Sequence, residues 1–155
     1  MRVEGKSITV TGAGGGIGEG IARRLASEGA AVIVNDINAA LGEKVTADIN
    51  AAGGRARFVA GDVTKSADWQ ALVAAAQAFG GKLDVIVNNA GWTHRNRPML
   101  EVSEAEFDKV YDVNMKSIYW SAIHGVPAMR QAGGGSFINI ACTAGVGPRQ
   151  GRTWC

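Results

Sequence analysis

The segment from Thr11 to Gly18 reads TGAGGGIG, directly after the short β-branched run from Ser7 to Val10. Glycines in such a place permit a tight turn and let the backbone approach a pyrophosphate. The first turn of a following helix adds unpaired N–H groups and the positive end of its dipole. A glycine run by itself also reads as a plain turn. It is no Walker loop, because Glu19 follows Gly18 and no Lys-Ser/Thr pair is present. Asp36 stands at the end of the second apolar run, near the offset of ~20 residues at which a carboxylate accepts ribose hydroxyls. The same carboxylate repels a 2′-phosphate, and neither Gly15 nor Ile37 offers a cation to hold one. These residues favour NAD(H) over NADP(H). The competing use of Asp36 is as a helix N-cap, which Asp also suits.

The remaining candidates are sulfur and imidazole. Cys142 and Cys155 make no disulfide framework. A nucleophilic thiol needs a base held beside it, and the spacing sets neither His94 nor His124 next to Cys142. Cys142 therefore reads as an inert thiol at a strand end, and His94 as a solvated loop residue. No spacing of ligand residues suggests a metal.

Positioning these groups requires strands that alternate with helices. Strands are expected at 7–10, 31–34, 57–60, 83–87 and 137–140. The first helix places Ile17, Ile21 and Leu25 on one face, with Arg23, Arg24 and Glu28 on the polar side and Gly29 as its stop. A second helix spans roughly 39–52. Trp69, Leu72, Val73 and Ala76 mark a third. Ser103 and Glu106 form a capping box at the start of a long helical region that runs to about Gln131, with a possible break near Tyr111. Such alternation implies parallel strands joined by right-handed crossovers. The fold class is α/β, a Rossmann-like doubly wound parallel sheet ordered 3-2-1-4-5.

Composition narrows the partners. The formal net charge of +2 and the scattered Lys and Arg residues give no basic stripe, which argues against nucleic acid. No apolar run approaches the ~20 residues of a membrane span. No signal peptide is evident, and a cytoplasmic location is the expectation.

Several of these segments together resemble the short-chain dehydrogenase/reductase family. TGAGGGIG fits the family's TGxxxGxG through Gly12, Gly16 and Gly18, and the resemblance implies cofactor contacts from Thr11, Gly15 and Ile17 as well. Asp62-Val63 is similar to the pair after the third strand that meets the adenine ring. Asn88-Asn89-Ala90-Gly91 is the NNAG segment, of which Asn89, Ala90 and Gly91 border the cofactor. Asn114 falls where the family carries a helix-borne catalytic asparagine. Read from the residues alone, Asp62 could merely cap a turn, Asn88 could only tie the fourth strand to its neighbours, and Asn114 could be an ordinary polar helix residue.

The resemblance implies a serine, a tyrosine and a lysine at the active centre. The serine polarises a carbonyl, the tyrosine transfers a proton as hydride moves, and the lysine tunes the tyrosine. Here Cys142 stands at the serine position and Cys155 at the tyrosine position. A thiol donates a weaker hydrogen bond than a hydroxyl, and Cys155 is shorter than a tyrosine by a whole ring. Family members continue beyond this point, so the chain reads as one dinucleotide-binding domain over 1–155, truncated after its fifth strand. Complete members form homo-oligomers through helices flanking that strand, of which the first, around Asn114 to Met129, is present. The expected function is hydride transfer between NAD(H) and a small secondary alcohol or ketone, with this chain inactive as it stands. The alternative is a non-catalytic NAD(H)-binding module or an inert fragment.

Overall fold

The computed structural model describes residues 1–143, 147 and 151. The strands are β1 (Ser7–Val10), β2 (Ala31–Asp36), β3 (Arg55–Ala60), β4 (Val85–Asn88) and β5 (Ser136–Asn139). The helices are α1 (Gly16–Ser27), α2 (Ala39–Ala51), α3 (Ser66–Gly80), α4 (Glu104–Tyr111) and α5 (Ser117–Gln131). The sheet is parallel throughout and ordered β3-β2-β1-β4-β5, the expected doubly wound arrangement. Each face of the sheet carries its own core. Ile8, Val10, Val32, Val34 and Val87 pack with Ala22 and Ala26 of α1 and Val45 and Ile49 of α2. Ile33 and Ile86 pack on the other face with Trp69, Leu72, Val73 and Ala76 of α3 and Ala128 and Met129 of α5. β1 and the first five residues of β2 are buried outright, as expected of strands covered on both faces.

The expected face of α1 needs correction. The deepest face of α1 is not Ile17, Ile21 and Leu25 but Gly18, Ala22 and Ala26. Ile21 and Leu25 pack at the margin of the core, and Ile17 is 69% exposed. Small residues let α1 approach the glycine segment and the sheet closely, and that close approach outweighs the larger apolar side chains one position earlier.

The long helical region after the capping box runs to Gln131 as expected. The Ser103 hydroxyl caps Glu106 N–H while the Glu106 carboxylate accepts from Ser103 N–H. The break expected near Tyr111 is a π-helical turn over Asp112–Lys116, which joins α4 to α5 without ending the helix. Pi turns widen the helix by one residue and occur at functional sites; this one carries Asn114. No helix among the described residues is long and apolar enough to cross a membrane.

Candidate functional site

At the carboxyl ends of β1, β2 and β4 the chain forms a groove of about 560 Å³. Such crevices at the switch point of a doubly wound sheet are where ligands bind in open α/β folds. Gly12, Gly15, Ile17, Gly18, Asp36, Asp62, Val63, Asn89, Ala90 and Gly91 all line it. Thr11 and Gly16 do not. Thr11 is buried beneath the loop, and Gly16 begins α1.

The groove's floor is fixed by close contact. Gly12 has φ +60°, and a Cβ there would lie 2.8 Å from Ala90 Cα. A Cβ on Gly18 would lie 2.2 Å from the Gly12 carbonyl oxygen and 2.4 Å from Asn89 Nδ2. A Cβ on Gly15 would meet nothing within 4 Å. Two of these positions therefore serve internal packing, while the third faces open space where another molecule's atoms can come near. Gly15 is also the N-cap of α1 and supplies no side-chain cap, so the first N–H groups of the helix stay unsatisfied by side chains.

Thr11 and Asn89 tie this loop to β4. The Thr11 hydroxyl accepts from Asn89 N–H and from Ala90 N–H, each at 3.1 Å. The Asn89 amide donates to the carbonyls of Thr11 and Gly12 at 2.9 and 3.1 Å. Asn88 does tie β4 to its neighbours, donating to Ser121 Oγ and Asn139 Oδ1.

Asp36 faces the glycine segment. One carboxylate oxygen accepts Gly14 N–H at 2.9 Å and the other accepts Asn38 N–H at 2.8 Å. The cap of α2 is Asn38, whose side chain accepts from Leu41 N–H, so Asp36 is not that helix's N-cap. Each Asp36 oxygen keeps lone-pair capacity toward the groove. Asp62 closes a local turn, its Oδ1 accepting from both the N–H and the hydroxyl of Thr64. Val63 is buried beside it, and its carbonyl accepts from Trp69 Nε1.

A second cleft of about 430 Å³ adjoins the first and shares Ala90, Gly91 and Trp92 with it. Asn114 and Cys142 both line this cleft. The Asn114 side chain is committed to one partner residue. Its Oδ1 accepts from Trp92 N–H and its Nδ2 donates to the Trp92 carbonyl, both at 2.9 Å. Cys142 is an exposed thiol outside any disulfide. Among the described residues lining the cleft there is no tyrosine, lysine or histidine. Cys155 lies outside the described residues.

His94 is not the solvated residue its loop suggested. It is 2% exposed, and its Nδ1 sits 2.8 Å from the Arg95 carbonyl oxygen, while Nε2 is buried without a hydrogen-bond partner among the described residues. Nearby, the Ser103 N–H and hydroxyl hold the Glu106 carboxyl below the usual carboxylate range, with Arg97 adding its charge.

Asn35, Leu41, Gly61, Trp92, Lys109 and Val113 also line the groove, and no motif in the sequence marked them. Ile37, which the sequence marks only as lacking a charge, is 75% exposed immediately after Asp36.

The profile of the family described as short chain dehydrogenase matches residues 6–154. The 4-formylbenzenesulfonate dehydrogenase of Comamonas testosteroni is 51% identical over 99% of this chain and 61% of its own length. The 2,5-dichloro-2,5-cyclohexadiene-1,4-diol dehydrogenase of Sphingobium indicum is 38% identical over 97% of this chain and 60% of its own length. The chain thus spans about three fifths of the curated relatives it matches. Among solved structures, a 7α-hydroxysteroid dehydrogenase in complex with NADH and 7-oxo glycochenodeoxycholic acid superposes with a TM-score of 0.93 at 35% identity, covering 99% of this chain and 59% of the other. A short chain dehydrogenase from Mycobacterium avium gives 0.90 at 36% identity, covering 98% and 57%.

Proposed function

The chain belongs to the short-chain dehydrogenase family, and from that premise we propose that the protein is an NAD(H)-dependent oxidoreductase interconverting a secondary alcohol and a ketone. The observation that carries the cofactor choice is the Asp36 carboxylate. It is braced by Gly14 N–H and Asn38 N–H at the rim of the groove, with unused acceptor capacity. Such a group accepts a pair of ribose hydroxyls and repels a 2′-phosphate. The open space above Gly15 and the uncapped start of α1 suit a pyrophosphate. The exposed side chains of Ile17 and Ile37 offer apolar surface to the rest of a dinucleotide.

The bound nicotinamide supplies the hydride donor or acceptor, and the protein's own residues bind it, orient it and hold its neighbours. In this reading Asn114 is a positioning residue, since both polar ends of its side chain grip the Trp92 backbone. By the family resemblance, Cys142 and Cys155 stand at the sequence positions of the carbonyl-polarising serine and the proton-transferring tyrosine. The relatives are named for an aldehyde and for a ring diol, which supports the alcohol and carbonyl class and selects no single substrate.

The test of the cofactor reading is fluorescence titration with NADH and NADPH. NADH binds more tightly, and Asp36→Ala narrows the gap. Equal affinities in the unmutated protein overturn the assignment. A second reading, of NAD(H) binding without catalysis, is favoured for the 155-residue polypeptide by the absence of tyrosine, lysine and histidine among the described cleft-lining residues. General acid–base help is worth roughly 10²–10⁴ in rate. We expect NADH to bind this polypeptide without being consumed when a panel of ketones is added. Steady NADH oxidation abolished by Cys142→Ala would make thiol chemistry the better account.

A further inference from the structure

The groove carries an unequal set of charges. Its described lining includes two carboxylates, Asp36 and Asp62, and a single cationic side chain, Lys109. A dinucleotide brings two further negative charges on its bridging phosphates. The start of α1 offsets part of this with its dipole, but Lys109 is the lining's only side-chain cation among the described residues.

Lys109 is held in place from two directions. It lies on α4 four residues before Val113, a separation that sets both on one helical face, and both line the groove. Its Nζ lies 4.4 Å from the ring centroid of Trp92. Trp92 is fixed in turn, because Asn114 grips its N–H and carbonyl together. The indole thus holds an ammonium at the groove wall through a cation–π contact. That contact leaves the ammonium's N–H donors without a carboxylate partner, since no ion pair engages Lys109 among the described residues. A lysine meant only for the surface has Asp108 and Asp112 beside it in sequence, and it bonds to neither.

We propose that Lys109 is a cofactor-binding residue, its ammonium stationed on Trp92 to attract and hold the phosphates of the dinucleotide. This rests on the cofactor reading above. A lysine acts on phosphate as a point charge, and an exposed one is screened by salt. The indole contact keeps the charge at the groove mouth before the ligand arrives and yields when the phosphates come within reach.

The experiment is isothermal titration of the protein with NADH, ADP and adenosine, at low and at physiological ionic strength. Lys109→Gln weakens NADH and ADP by a common factor, roughly fivefold at low salt as befits an exposed ion pair, and leaves adenosine unchanged. The loss shrinks as salt is added. Lys109→Arg restores most of it, and Trp92→Leu gives a partial loss of the same pattern. Unchanged ADP affinity in Lys109→Gln overturns the proposal, and so does an equal loss for adenosine, which would make Lys109 a packing residue. Wild-type protein that binds neither NADH nor ADP refutes the cofactor reading itself, and with it this one.

Discussion

Val87 and Ile138 face each other in register on β4 and β5, on the same side of the sheet. Val87 is 1% exposed and Ile138 is 47% exposed. The difference is one of cover. Val87 lies under the α1 side of the sheet, within a closed apolar cluster. Ile138 and Ile140 just past the strand, 42% exposed, have no described helix above them. On the opposite face Phe137 packs against the α3 and α5 core. On the groove side, the side chains of Thr11, Asp36, Asp62, Asn89 and Asn114 each make at least two hydrogen bonds. On the β5 side, the face carrying Ile138 is uncovered among the described residues. Under the proposed function, cofactor recognition rests on the short-range backbone geometry of the groove, and the second cleft borders the face of β5 that no described helix covers.

The sharpest way to break this contrast lies inside the glycine segment. Gly18→Ala puts a methyl 2.2 Å from the Gly12 carbonyl and 2.4 Å from Asn89 Nδ2. Backbone must shift, which we expect to cost about 3 kcal/mol and to abolish NADH binding. Gly15→Ala adds the same methyl into open space at φ −176°, so stability should stay within about 0.5 kcal/mol while NADH affinity falls. Chemical denaturation with a parallel NADH titration checks both. Equal destabilisation by the two variants would show that the loop is not divided between a packing side and a ligand side.

A smaller effect tests how the covered half is held together. Asp84, 7% exposed, precedes β4 and anchors β1. Its carboxylate accepts Ser7 N–H at 2.9 Å and pairs with Lys6 and Lys82, each at 3.0 Å. Burial pushes its pKa up, but the Ser7 N–H and the two ammonium groups outweigh that and hold it below the ordinary value. A carboxyl depressed in the folded state contributes stability above its unfolded pKa, and loses it as pH falls through the folded value. Asp84→Asn should cost about 2 kcal/mol at neutral pH, with the gap to wild type closing below about pH 4. Urea unfolding across pH measures it. A constant gap would mean that shape and not charge secures this joint.

Much of this was legible in the sequence because the signals are local. The five strands, their order and the capping box follow from apolar runs, glycine stops and one Ser-x-x-Glu spacing. Asp36 was legible from its offset, though not the bonds to Gly14 and Asn38 that orient it. The deep face of α1 was misjudged because periodicity weighs side-chain size, whereas the packing there rewards Gly18, Ala22 and Ala26 for being small. His94 was misjudged because a loop's sequence does not say which of its side chains turns inward. Lys109 escaped notice because its partner Trp92 is remote in sequence and is placed only through Asn114.

The bare half should also reveal itself through association. Ile138 sits on the edge strand of the described sheet, with Ile140 just past its end, and an edge presents unpaired backbone groups to any other strand. Along the neighbouring helices Phe107, Tyr111, Met115, Tyr119 and Ile123 recur every four residues and are between 43% and 57% exposed. Exposed apolar area of this extent marks an interaction surface. We expect the 155-residue polypeptide to self-associate in light scattering. Ile138→Lys should shift the population toward monomer, because a charge on an edge strand opposes strand addition. The same change should alter unfolding free energy by no more than about 0.5 kcal/mol, since a half-exposed side chain gives up little burial. At the register partner the outcome reverses. Val87→Lys places an unpaired ammonium in a closed apolar cluster and should unfold the protein outright. A monodisperse monomer before mutation, or a large stability loss from Ile138→Lys, would mean that the bare face is already covered.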